Sequence, residues 1–248
     1  MRNVWTIAKR EFNMYFASPV AYAIGFGVLL VLGLFFNLGI LNAVQQSQFG
    51  GAGAPDLTDT LQIFVTLVLF FTPALTMRLL AEEQRTGTIE LLMTAPVREW
   101  ELVVGKWLAA LGFVTLLMLL TAIYALILSR IVFPGVDVGA LLAVYLGLFL
   151  LMGALLAVGL FISTLFTNQM AAFFTIFGIT LLLWIIDLPV RDSNGPVADF
   201  VRHLAFPRHI YDNFFSGVVD LKDVVFFISM MVFFLFLSAR SVESRRWR

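Results

Sequence analysis

The chain contains no cysteine, which excludes disulfides, thiolate chemistry and cysteine metal sites. Histidine is almost as scarce. His203 and His209 are the only two, and neither has a carboxylate in the His-Glu-x-x-His spacing of a zinc site. There is no Gly-x-x-x-x-Gly-Lys-Ser/Thr phosphate loop: Gly105-Lys106 is followed by Trp107 and lacks the upstream glycine, so the chain does not bind and hydrolyse ATP itself. Charge is thin, at 13% of residues against 60% hydrophobic, with a mean hydropathy of +0.95. A water-soluble domain with a polar surface cannot carry those values. The net charge is zero, which gives no reason to expect nucleic acid as a partner.

What the chain has instead is hydrocarbon. A helix needs about 20 apolar residues to cross a bilayer, and six runs qualify as candidates: 20–41, 61–81, 102–128, 138–165, 170–188 and 224–239. The last is short, but Lys222 and Arg240 flank it and can snorkel to the two interfaces. The first is too long for a signal-peptide core and has no small-residue cleavage site behind it, so it reads as a retained anchor. With few polar linkers, residues 1–248 form one all-α transmembrane domain.

Basic residues near span ends stay on the cytoplasmic side. They concentrate in the N-terminus (Arg2, Lys9, Arg10), the loop after span two (Arg78, Arg85, Arg98, Lys106) and the tail (Arg240, Arg245, Arg246, Arg248). Both termini and the 82–101 loop are therefore expected in the cytoplasm, and 189–222 outside. Residues 3–16 predict an interfacial helix, with Val4, Trp5, Ala8, Phe12, Tyr15 and Phe16 toward the acyl boundary and Thr6, Lys9, Arg10 and Asn13 toward lipid phosphate.

Small residues recur four apart at Ala17, Ala21 and Gly25 and at Gly139, Ala143 and Gly147. Such stripes let membrane helices approach closely, within a subunit or between two. Pro73 is expected to kink span two. The spans hold almost no convergent polar groups; Asp187, beside Trp184 and just before Pro189, is the nearest to a catalytic candidate and reads as a solvated flank.

The loop after span two is different. Leu79-Leu80-Ala81-Glu82-Glu83-Gln84-Arg85-Thr86-Gly87-Thr88-Ile89-Glu90-Leu91-Leu92-Met93-Thr94-Ala95-Pro96 packs far more charge than a turn requires, around a short apolar helix bounded by Gly87 and Pro96. It looks built to be gripped by something in the cytoplasm. Three readings remain open on residues alone. The chain is a transport or scaffold subunit powered from outside, a membrane hydrolase or transferase using Asp187 or the histidines, or a passive channel or secondary porter.

The same stretch from Met77 to Pro96, followed by Trp100-Glu101-Leu102-Val103-Val104-Gly105-Lys106, resembles the signature of ABC-2 type permeases. Lys9-Arg10-Glu11-Phe12, Ser18-Pro19 and six spans in the expected order extend the resemblance over essentially the whole chain. Thr72-Pro73-Ala74-Leu75-Thr76-Met77-Arg78 and Ser216-Gly217-Val218-Val219-Asp220-Leu221-Lys222-Asp223-Val224 are similar, more narrowly, to permeases associated with gliding motility. The resemblance implies a non-catalytic subunit with an N-terminal elbow helix (1–19) and short outer re-entrant helices, here 204–215, where Phe206, Ile210 and Phe214 share a face that Pro207 interrupts. It also implies a cytoplasmic coupling helix. Glu82, Glu83, Arg85 and Glu90 would form its charged collar, Ile89, Leu91, Leu92 and Met93 its apolar knob, and Thr86, Gly87, Thr88 and Pro96 its frame. The implied partners are cytoplasmic ATPase subunits that bind the ATP and magnesium, a second permease copy or paralogue, membrane lipid, and an extracytoplasmic auxiliary protein.

Overall fold

Hydrocarbon offers nothing for a bare peptide group to bond, so a chain this apolar must satisfy its backbone inside helices. A computed structural model describes residues 2–48, 55–87, 98–132, 136–190, 193 and 195–245, and no strand occurs among them. Six helices there are long and apolar enough to cross a membrane. They are Pro19–Gln48, Thr58–Thr76, Glu99–Ile131, Val138–Leu165, Gln169–Ile185 and Leu221–Arg245. Each falls on one of the six expected runs; spans two and five end short of theirs, at Thr76 and Ile185, and the sixth is longer than its apolar stretch suggested.

Span four, Val138–Leu165, is the central post. Every residue from 150 to 160 is buried, as expected of a helix that is hydrophobic all round. Spans two, three, five and six all pack on it. Its glycines are sockets. A β-carbon at Gly147 would fall 2.5 Å from Phe214, and one at Gly153 would fall 2.8 Å from the Met231 Cε. One at Gly159 would strike Thr76 of span two. In span one, Gly25 likewise lies against Leu117 of span three. The small residues Ala21, Gly25, Ala143 and Gly147 thus serve contacts within the subunit.

The N-terminal helix, Arg2–Ala17, runs beside the start of span three in the same direction. Ile7 meets Gly105, Phe12 meets Gly112, and Tyr15 stacks on Phe113 at 5.1 Å. Its buried face therefore differs from the expected one. Glu11 and Tyr15 turn inward with Ala8, whereas Trp5 is 71% exposed and Phe16 also faces out. The helix has a protein partner for the stripe that amphipathicity alone assigned to lipid.

Pro73 does not interrupt span two, which continues to Thr76. The break falls at residues 77–80. Thr76 Oγ1 donates to the Thr72 carbonyl at 2.8 Å, a back-bond that competes with the helical ladder just before the break.

The segment expected at 204–215 comprises helices Pro196–Leu204 and Phe206–Arg208, a π turn His209–Asn213 and a 3-10 turn Phe214–Ser216. Phe206, Ile210 and Phe214 are fully buried, as their spacing predicted. Pro207 opens a helix instead of interrupting one, because its missing N–H lies in the first turn, where that donor has no helical partner.

Candidate functional site

At one end of the bundle lie the N-terminal helix, the break after span two, the start of span three, and the last turns of spans four and six. The short helix Ala81–Thr86 follows the break. Glu82 and Glu83 occupy its first turn and Arg85 its last, the arrangement a helix dipole favours. Gly87 ends it at φ 70°, a left-handed conformation that glycine adopts at no steric cost.

Span four holds this helix in place. The break leaves the N–H groups of Leu80 and Ala81 outside the ladder, and the Ser163 hydroxyl accepts from both, at 3.2 and 3.1 Å. Ser163 also donates to the Met77 carbonyl at 3.3 Å. One residue on, the Thr164 carbonyl accepts from Gln84 Nε2 at 2.8 Å, and the Thr164 hydroxyl reaches Ser241 of span six at 2.9 Å. Ser163→Ala removes the shared acceptor of two buried amides and is expected to cost about 1–3 kcal/mol. A lowered thermal midpoint of the purified protein would register this.

Charge completes the fastening. Lys106 of span three is only 3% exposed and lies 2.9 Å from Glu83 and 3.2 Å from Glu11. Arg10 adds a bond to Glu11 at 2.9 Å. A lysine within the apolar run of span three thus ties the N-terminal helix and the Ala81–Thr86 helix to that span. Nearby, Asn3 donates to Glu101 at 3.1 Å. Burial pushes the Tyr15 phenol well above its ordinary pKa, with Glu11 adding to the rise and Arg78 opposing it.

Of the coupling residues expected from sequence, Glu82, Arg85, Thr86 and Gly87 lie exposed at the tip. Glu83 faces Lys106 instead. Thr88, Ile89, Glu90, Leu91, Leu92, Met93 and Pro96 lie outside the described residues. Sequence reasoning missed Lys106 and Glu11 as partners; the one available signal was an uncompensated cation a turn and a half inside an apolar span.

The opposite end has its own buried polar cluster. His209 Nδ1 lies 2.6 Å from Asp223 Oδ1, Asn213 donates to Asp223 Oδ2 at 2.7 Å, and His209 Nε2 lies 2.9 Å from the His203 carbonyl. The His209 ring stacks on Phe226 at 4.1 Å. His209 therefore does have a carboxylate, supplied by the start of span six. Asp187 is half-buried in the wall of a crevice of about 550 Å³, together with Trp184, Arg208 and Tyr211. Arg202, Arg208 and Asp212 line both this crevice and the one beside His209.

A family model described as ABC-2 family transporter protein matches residues 5–240. No curated protein matches the chain.

Proposed function

Because the chain belongs to the ABC-2 family of transporter proteins, and so is a multi-pass membrane permease of an ABC transporter, we propose that it couples ATP hydrolysis by a separate cytoplasmic ATPase to export or mechanical transmission. The observation that carries this reading is the Lys106 cluster. The segment leading into the coupling region is joined by buried charge to two other helices, so a displacement there is passed to span three and the N-terminal helix together. The chain itself has no phosphate loop, and its energy must arrive through such a contact.

In this reading the Lys106 end faces the cytoplasm, with both termini, because the basic-rich segments gather there. The membrane is the cytoplasmic one. Residues 82–96 form the coupling helix, 1–19 the elbow, and 204–215 the re-entrant element at the outer face. Two permeases, identical or paralogous, enclose the pathway above two ATPases. An auxiliary protein outside the membrane is the further component that the gliding-type similarity implies.

Glu82 and Arg85 are the residues to test, since both are exposed and neither is part of the Lys106 cluster. Reversing both charges, or deleting 87–93, is expected to abolish ATP-dependent function in the reconstituted complex while the subunit remains inserted and folded. The wild-type protein is expected to copurify with its ATPase in mild detergent. Full coupling in those variants, or transport by this chain alone without nucleotide, would refute the reading.

A further inference from the structure

Two cavities meet at Tyr15. One, of about 320 Å³, is a polar crevice between the N-terminal helix and the break after span two, walled by Ser18, Arg78, Glu82 and the Lys106 cluster. The other, of about 290 Å³, is an apolar groove between spans one and three, walled by Tyr22, Phe26, Leu117 and Leu120. Tyr15 lines both. It is 6% exposed, and its buried hydroxyl has no hydrogen-bond partner among the described residues. That hydroxyl sits within the fields of Glu11 and Arg78, both of which line the crevice. A buried donor left unbonded carries a desolvation cost, and a ligand oxygen in the crevice would remove it.

The charges specify the ligand. Lys106 is already matched by Glu11 and Glu83. Arg78 and Glu82 make no ion pair among the described residues, and the only hydrogen bond of the Arg78 side chain there is to Ser18 at 3.2 Å. Among the described residues, one crevice thus presents a cation and an anion that have no ion-pair partner and do not pair with each other. A zwitterion fits that arrangement, and a purely anionic group would face three carboxylates against two bases. We propose that this is a binding site for a phospholipid with a primary-ammonium headgroup. Its phosphate is held by Arg78, Ser18 and the Tyr15 hydroxyl, its ammonium by Glu82, and an acyl chain lies in the groove between spans one and three. A primary ammonium is favoured over a quaternary one because it donates hydrogen bonds to a carboxylate, and because the crevice lacks the aromatic cage that quaternary groups use.

Native mass spectrometry of the full-length protein in mild detergent tests the site, with no ATPase or nucleotide present, so the outcome is independent of the coupling reading. Titration with dioleoyl phosphatidylethanolamine is expected to show one site at least about tenfold tighter than for the phosphatidylcholine or phosphatidylglycerol of the same chains. Arg78→Gln and Glu82→Gln should each weaken it roughly tenfold, and Tyr15→Phe by a smaller factor. Gly25→Leu, which fills the groove without touching the crevice, should weaken the lipid but not free phosphoethanolamine. Thermal melting confirms that each variant is folded. Equal affinity for the three lipids would overturn the headgroup assignment, and so would unchanged binding in folded Arg78→Gln and Glu82→Gln proteins. Phosphoethanolamine binding as tightly as the whole lipid would overturn the groove's part.

Discussion

Lys106→Met is expected to destabilise the protein by about 3–5 kcal/mol, because it takes the cation from Glu83 and leaves Glu11 with Arg10 alone. The size of the effect follows from burial. The Lys106 side chain is 3% exposed and those of Glu11 and Glu83 are 8% and 17% exposed, so water cannot replace the lost ammonium as it would at a surface pair worth about 1 kcal/mol or less. The penalty belongs to the stranded carboxylates more than to the lost attraction. Adding Glu11→Gln and Glu83→Gln to Lys106→Met should therefore recover much of the stability, and a double-mutant cycle on thermal midpoints would show it. A folded Lys106→Met protein melting like wild type would mean that the carboxylates escape to solvent. If the coupling proposal is right, the stabilised triple variant remains uncoupled, since its coupling segment has lost the charge link to span three.

Asp223→Ala should have a comparable effect at the other end, about 3 kcal/mol or more, with a different signature. Asp223 is 4% exposed and is the common partner of the His209 ring and the Asn213 amide. Removing it strands both inside the protein. The loss is local to the segment between helix Pro196–Leu204 and span six. Limited proteolysis should accordingly cleave within 205–220 in the variant and leave the remaining connections as they are in wild type. Asp223→Asn keeps the shape and one acceptor oxygen, and should fall between the two. Resistance equal to wild type in Asp223→Ala would show that the π turn is held by Phe206, Ile210 and Phe214 alone.

The six spans were legible because the thickness of hydrocarbon dictates run length, and run length is visible in any sequence. The inward face of Phe206, Ile210 and Phe214 was legible too, since one helical period places them in line. What escaped were facts that depend on distant partners. Nothing local marks Glu11, on a helix that reads as interfacial, as the mate of a lysine 95 positions away. Nor does spacing reveal that Asp223, which reads as a flank of the last span, closes on His209. The amphipathic reading of 3–16 assigned Ala8 and Tyr15 to lipid, where span three stands instead. The break after span two had no local signal either. Pro73 was the visible irregularity, but the interruption settles where Ser163 can satisfy the freed amides. The charged segment after span two stood out from its motif, and the bonds that hold its base appeared only in the packing.

The interruption at 77–80 has a mechanical corollary. Beyond it the chain runs six residues to Gly87, a short arm of about 9 Å whose base rests on the Ser163 hydroxyl and whose length is tied by Glu83 to Lys106 and by Gln84 to Thr164. With so short a radius, a push of about 3 Å at the tip would swing the arm through roughly 20°. Leverage of that kind favours angle over reach, and it would convert a small displacement at Gly87 into torque on the post that stands at the middle of the bundle.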